Sequence, residues 1–517
     1  MSELSPSIEP AGAARRSDSG RAAPAMLRAD RAARRDALLV AILAAIIAFA
    51  FQGTRPLWEP DEGRYTNVAL RMVESGDWLN PALDEEHLHF SKPPLTYWAL
   101  AASYLTFGHS EWAVRLPNAL AFLATALLVL GIARRLAPRR GLAGALAWTT
   151  MVGPVIGANL ISTDTLLVLW ETLAVFAFVS SGALECRGIS SHRILAMWIA
   201  LALAFLTKGP PGLLPLAGIV AWLAWTRRAR EWPGVFSLAG LLAFVIIGGA
   251  WYFIVAREHP GLMQYFLRDE VAERLATTAY HRNPGWLGWL KIYGPSLVVG
   301  SLPWLALPLI ARIRRLLPHE PMLQQPHGWF LLCWLAVPLI VLCLSQSRLP
   351  LYVLPLFVPI ALLIVRAVPE GFLTIGRTQL AAVGIAAASL VTVKGVGAHI
   401  DTDRDGRRMA QELASIVGSR HFQEVVFIGT TPIYSLHHYL GVEVEGAGID
   451  APGGPKTAFA DVESLCSELS NHERFLAMGP ASQAQAIQSA ADRCPGAGLE
   501  ELARMRSWVV WARPSER

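Results

Sequence analysis

Trp58–Leu95 reads WEPDEGRYTNVALRMVESGDWLNPALDEEHLHFSKPPL and follows directly on an apolar segment. It places Asp61, Glu62, Arg64, Arg71 and Lys92 beside a long series of apolar runs. Holding charges next to a membrane-sized apolar mass costs several kcal/mol unless they are used, so such a stretch reads as the wall of a site. Working outward, the 517 residues are 53% hydrophobic and only 16% charged, with 18 Trp. That balance predicts a polytopic α-helical membrane protein and excludes an ordinary soluble globule. The net charge of +5 comes mostly from arginines in short loops, which report membrane orientation. No aromatic-basic platform accompanies them, so they do not read as a nucleic-acid surface.

Residues 1–35 are Arg-, Ala- and Ser-rich and predict a disordered cytoplasmic tail. The first apolar run reads as an uncleaved signal-anchor. Crossing about 30 Å of hydrocarbon takes roughly 20 helical residues. On that basis spans are expected near 36–53, 113–136, 141–158, 163–183, 193–207, 209–226, 235–256, 288–311, 328–345, 349–367 and 376–394. Placing Arg134, Arg135, Arg139, Arg140, Arg187, Arg193, Arg227, Arg228, Arg312 and Arg366 in the cytoplasm leaves 93–107 with no crossing to make. It is expected as a helix lying in the interface. The multi-span domain is thus 36–395, with outer loops 54–112 and 257–287. Asp61 to Lys92, Asp164, Lys208, the 257–287 loop and Arg348 then all emerge on the outer face.

From residue 396 to 517 the chain turns polar, with helical runs at 406–417 and 482–494 and short apolar strands at 424–428, 474–478 and 507–511. This predicts a small α/β domain on the outer side. Cys466 and Cys494 fall there and are candidates for a disulfide or two free thiols. Cys186, Cys333 and Cys343 lie in or beside apolar runs, where buried thiols are expected.

Each motif carries two readings. Asp61-Glu62 is a candidate general base or charge-orienting carboxylate at the lipid boundary, or simply the acidic first turn of a helix over 63–75. Lys92, in Ser91-Lys92-Pro93-Pro94, precedes a helix start where a phosphate could be held, or snorkels as an anchor. Ser162-Thr163-Asp164-Thr165 suits a helix cap, although it shares the outer face with Asp61. Lys208 stands at a tight outer turn, where the inside rule gives positive charge no benefit. The loop 257–287 carries Arg268, Asp269, Glu270, Arg274, His281 and Arg282, with Phe266 to Leu275 expected as an interfacial helix. Lys92, Lys208, Arg274, Arg282 and Arg348 form a candidate anion-binding cluster, with Tyr352 four residues beyond Arg348. A divalent metal stays open, His281 being its candidate ligand. No Walker glycine loop, HExxH or Gly-x-Ser-x-Gly is present.

The ordered set PDEGRY (60–65), GDWLNP (76–81), FSKPPLTYW (90–98), TDT (163–165), LTKG (206–209), HR (281–282) and SRLPLYVLP (347–355) resembles the aminoarabinose transferase branch of the protein mannosyltransferase superfamily. These are GT-C fold glycosyltransferases that use lipid-linked sugars. The resemblance covers about 36–370 well and the C-terminal domain more loosely. It implies transfer of a sugar from a polyprenyl (undecaprenyl) phosphate to lipid A or another envelope glycolipid, on the outer face of a bacterial inner membrane. By the same resemblance Asp61 and Asp164 are the catalytic acids. The resemblance also puts Arg64, Lys92, Lys208, Arg282 and Tyr352 at the substrate, and the reading of the residues themselves adds Glu62, Arg274 and Arg348 as substrate-binding candidates. Two positions depart from the pattern: Ser91 stands where Glu is usual, and Arg348 where lysine is common. A protein acceptor is the near rival. A transporter or lipid flippase is the alternative from another class, although no repeat is visible and the charges gather at one face.

Overall fold

A computed structural model of the chain describes residues 19–185, 188–273, 282–315, 323–324, 327–369, 373, 375–400, 402–418, 420–449, 463–470, 474–494 and 498–513. Its first part is helical throughout: α1 (Ser19–Phe49), α2 (Asp61–Ser75), α3 (Leu95–Phe107), α4 (Glu111–Leu136), α5 (Gly141–Thr150), α6 (Val152–Ala158), α7 (Thr163–Ser180), α8 (Ser191–Lys208) and α9 (Leu214–Trp225). Helices Leu238–Glu258, Gly288–Gly300, Ala306–Ile313, Gly328–Leu344, Phe357–Arg366 and Arg377–Gly397 follow. Residues 19–35 of the expected tail belong to helix α1, and residues 1–18 lie outside the described residues.

By length and composition five described helices can cross a membrane, six if the bent pair α5–α6 is one span. Eleven were expected; Gly328–Leu344 is an apolar helix of only 17 residues, and several other apolar runs are broken. The run 141–158 bends by 58° between Thr150 and Val152. The run 288–311 splits at Ser301–Leu305, where Pro303 supplies no backbone donor. The last expected span but one begins as a 3-10 stretch, Pro350–Leu356, before becoming α-helical. Composition identified the apolar runs but not these interruptions.

Helices α1, α4, α5, α7 and α8 share one apolar core with Phe330, Trp334 and Phe357. Leu238–Glu258 and Arg377–Gly397 are different: only 22% and 11% of their apolar windows are buried within the protein. Side chains such as Val245, Ile246, Phe253, Ile385 and Val393 are exposed, and such surface needs lipid to cover it. At the end of the bundle away from α2, Arg140 donates to the carbonyls of Val365 and Arg366, and Arg366 to that of Leu136. The arginines read as orientation signals therefore also satisfy helix-terminal carbonyls.

The C-terminal part is a six-stranded sheet of order β3-β2-β1-β4-β6-β5. Its strands are β1 (Glu424–Ile428), β2 (Glu443–Gly448), β3 (Glu463–Ser464), β4 (Phe475–Pro480), β5 (Glu500–Arg504) and β6 (Trp508–Ala512). The first four strands in that order run parallel, and β6 and β5 add an antiparallel hairpin. Strand alternation divides the residues between two cores. Val425 and Phe427 face α2, α3 and the helix Gly406–Val417, whereas Val426 and Ile428 face Ala484–Ala491. The expected strands at 424–428, 474–478 and 507–511 are present, as is the helix 406–417; β2, β3 and β5 were not anticipated. Cys466 and Cys494 are joined in a disulfide. Cys186 lies outside the described residues.

This domain is fastened to the outer loop. Glu59 N–H donates to the Arg404 carbonyl at 3.0 Å and Gly406 N–H to the Leu57 carbonyl at 3.1 Å. Asn67 pairs with His437 at 2.6 Å, Tyr104 with His438 at 2.8 Å, and Arg71 with Glu443 at 3.0 Å. The amphipathic α2, with Val68, Ala69 and Met72 buried, lies between the bundle and the sheet.

Candidate functional site

The outer loop is held by one buried carboxylate. Glu62, 2% exposed, accepts from Arg55 at 2.6 and 2.7 Å, from Arg115 at 3.0 Å, and from the backbone N–H of Trp58 and Ile161. Burial raises its pKa, but Arg115 and Arg55 outweigh that and hold it at about 2. Arg115 also donates to the carbonyls of Gln52, Arg55 and Pro56, at 3.0, 2.7 and 2.8 Å. Glu62, expected at the substrate, is therefore the hub that shapes 52–62. Arg115 was missed; its signal was an arginine at the outer end of a span, where the inside rule does not place one.

Asp61, one residue earlier, points the other way. Its side chain is 60% exposed at the amino end of α2, and it pairs with Arg64 at 2.6 Å. Pro60 is the residue at the cap and makes no side-chain bond. Tyr65 links this end to α7: its phenol bonds Thr163, and burial drives its pKa upward, with Asp61 and Asp164 adding to the rise.

At the start of α7, Ser162 is the cap, accepting from Asp164 N–H at 3.2 Å. That leaves the Asp164 carboxylate, 6% exposed, to accept from Lys208 at the last residue of α8. Gly209, with φ 72°, turns the chain sharply just after Lys208. The Lys208 ammonium also lies 4.2 Å from the Tyr352 ring centre, a cation–π distance.

Lys208, Tyr352 and Lys92 all line one cavity of about 420 Å³, together with Ser347, Glu171 and Glu270. The rest of its wall is largely apolar, including Phe90, Leu167, Phe205 and Phe266. Lys92 donates to the Ser91 carbonyl at 2.6 Å and lies 3.6 Å from Glu270. Ser91 in turn bonds His89 at 2.7 Å. An apolar chamber with convergent cations at its rim suits a ligand with an anionic head and a hydrocarbon tail.

Arg348 does not reach this chamber. It is 2% exposed, and its guanidinium donates to the carbonyls of Asn283, Gly285 and Cys343, at 2.9, 3.0 and 3.0 Å. Expected in the anion cluster, it clamps the end of the 257–287 loop. Arg282 is joined through its carbonyl, which accepts from Arg348 N–H at 2.9 Å. Arg274 and His281 lie outside the described residues, and the helix expected over Phe266 to Leu275 is a π-helical stretch, Phe266–Glu273. Among the described residues the one trio of close metal-type side chains is Glu424, Glu445 and Glu468 in the sheet domain, away from the cavity. Glu171 was not singled out from the sequence, although its spacing of seven residues from Asp164 puts both on one helix face.

Residues 91–253 match the family described as dolichyl-phosphate-mannose-protein mannosyltransferase. The chain is 33% identical over 317 residues to an undecaprenyl phosphate-α-4-amino-4-deoxy-L-arabinose arabinosyl transferase of Sodalis glossinidius, covering 60% of this chain and 56% of that protein. It is 32% identical over 337 residues to the corresponding transferase of Pseudomonas fluorescens, covering 64% and 58%. The chain thus spans little more than half the length of these curated relatives. In fold it is similar to ArnT of Cupriavidus metallidurans bound to undecaprenyl phosphate, with a TM-score of 0.71 and 19% identity over 92% of this chain and 97% of the other. The chain is thus similar in sequence to these arabinosyl transferases and shares the fold of ArnT, a multi-pass helical bundle carrying a C-terminal sheet domain.

Proposed function

We propose that this protein transfers a sugar from undecaprenyl phosphate to lipid A or a related envelope glycolipid, at the outer face of a bacterial inner membrane. The observation that carries this reading is the apolar cavity rimmed by Lys92 and Lys208, with Asp164 and Tyr352 holding Lys208. The prenyl tail would occupy the apolar wall and the phosphate would meet the two ammonium groups. The names of the relatives support the choice of carrier.

In the reaction the acceptor oxygen attacks the anomeric carbon of the sugar. The bond from that carbon to the carrier phosphate oxygen breaks, and the electron pair leaves with the phosphate. Negative charge on the phosphate grows along this path, so prepositioned lysines stabilise the transition state more than the ground state. Asp61, exposed and oriented by Arg64, takes the proton when the acceptor is a hydroxyl; an ionised phosphate acceptor needs none. Asp164 acts through Lys208 and is a positioning residue in this scheme.

Mass spectrometry of lipid A and other envelope glycoconjugates, with and without the gene, tests the reading. The expected result is a lost mass increment on a glycolipid, restored by the wild-type gene and not by Asp61→Asn. An increment lost from proteins instead would move the acceptor to that class. An unchanged set of glycoconjugates would overturn the proposal.

A further inference from the structure

Glu171 is a carboxylate in the middle of a membrane helix, where an acid is costly unless something uses it. It is 4% exposed, it lines the cavity, and its Oε1 has no hydrogen-bond partner among the described residues. It follows Asp164 by seven residues, about 10 Å farther along the same face of α7 at 1.5 Å per residue.

The charges around the cavity give this orphan atom a meaning. The charged side chains of the described lining are Lys92, Lys208, Glu171 and Glu270. Lys92 already lies 3.6 Å from Glu270, and Lys208 is bonded to Asp164. Among these described side chains Glu171 is the acid in excess, before any phosphate has entered. A phosphate bound by the lysines adds a further negative charge to the same low-dielectric space. A ligand that brings a cation of its own offsets both and gives Glu171 Oε1 a donor.

Resting on the function proposed above, we propose that Glu171 is a specificity-determining residue that receives the ammonium group of an amino sugar carried on the prenyl phosphate. The lysines read the phosphate common to every such carrier, and Glu171 reads the charge on the sugar.

The test uses the purified full-length protein and three probes: undecaprenyl phosphate, its 4-amino-4-deoxy-arabinose conjugate, and the same conjugate N-formylated to remove the charge. The wild-type protein is expected to bind the amine form roughly ten- to hundredfold more tightly than the formylated form, the range of one charged hydrogen bond. Glu171→Gln keeps size and an acceptor oxygen but no charge. It should remove most of that gap by weakening the amine form alone, with undecaprenyl phosphate bound as before. Equal binding of the two conjugates by the wild type, a readout that needs no variant, overturns the inference. So does a gap that survives in Glu171→Gln. A uniform loss in Glu171→Ala with none in Glu171→Gln would assign Glu171 to a hydroxyl and overturn it as well. Failure of the wild type to bind undecaprenyl phosphate would instead remove the function on which the inference rests.

Discussion

Glu62 and Arg115 meet at 3.0 Å across 53 residues of sequence, both almost fully buried, and between them they fix the path of the chain that presents Asp61. Removing one partner leaves the other charge buried and uncompensated, which costs about 3–5 kcal/mol. Arg115→Met and Glu62→Gln should each lower the melting temperature of the detergent-solubilised protein sharply. The wild type should also lose stability in acid. Because Glu62 is held near 2, its contribution is present above the ordinary value of 4.5 and is lost as pH falls from there toward 2.

Lys208 is expected to act on the carrier phosphate. Lys208→Met should reduce transfer by two orders of magnitude or more, on the scale of losing one preorganised electrostatic group. Lys208→Arg should restore part of it. Asp164→Asn should cost less than Lys208→Met, since it loosens the lysine without removing the charge. An Asp164→Asn variant less active than Lys208→Met would mean that Asp164 touches substrate directly.

Arg348 separates two readings by a conservative change. As a clamp it uses several N–H groups of one planar fork, and lysine cannot reproduce that fork. Arg348→Lys should therefore increase protease cleavage near residues 283–287 while leaving affinity for undecaprenyl phosphate within about threefold, under 1 kcal/mol. Loss of phosphate affinity with an intact loop would return Arg348 to the anion site.

Much of this was legible beforehand because each feature left a local signature. Lys92, Lys208 and Tyr352 stood out as polar groups beside proline-marked helix starts, and the cavity brings them together. The helix Gly406–Val417 was readable because its apolar residues recur at helical spacing. Glu62 was assigned to substrate because an acid beside Asp61 looks the same in sequence whichever way it faces. Its direction was settled by Arg55 and Arg115, and nothing local to 58–65 announces Arg115. The breaks at Met151 and at Ser301–Leu305 were hidden for another reason: in a uniformly apolar run there is no periodicity to interrupt. Strands β3 and β5 are short or half exposed, and carry little of the alternation that marks a strand.

Glu59 should make the junction between loop and sheet domain sensitive to pH. Burial raises its carboxyl to about 7, while its Oε1 accepts from Ser435 N–H at 2.8 Å. A raised acid contributes stability below its ordinary value of 4.5 and loses it as pH climbs through 7. Glu59→Gln keeps the acceptor without the charge. It should be more stable than the wild type at pH 8, by on the order of 2 kcal/mol, and no different at pH 4.5. Melting curves at the two pH values measure this.

The Cys466–Cys494 disulfide closes a separation of 28 residues at the far face of the sheet from the membrane helices. A cross-link of that size stabilises by about 3 kcal/mol. Cys466→Ser with Cys494→Ser should loosen hydrogen-exchange protection around Ala484–Ala491 while exchange in α7 and α8 is unchanged. Equal loosening of both regions would mean that the two unfold as one unit.

The bonds from Leu57, Glu59, Asn67, Arg71 and Tyr104 to the sheet domain make that domain the back plate against which α2 is set. A chain cut after the last membrane helix would keep every lysine and aspartate named above, yet Asp61 would have lost the wall behind it. The polar quarter of the protein is thus no detachable accessory: divide the molecule there, and neither piece holds a complete site.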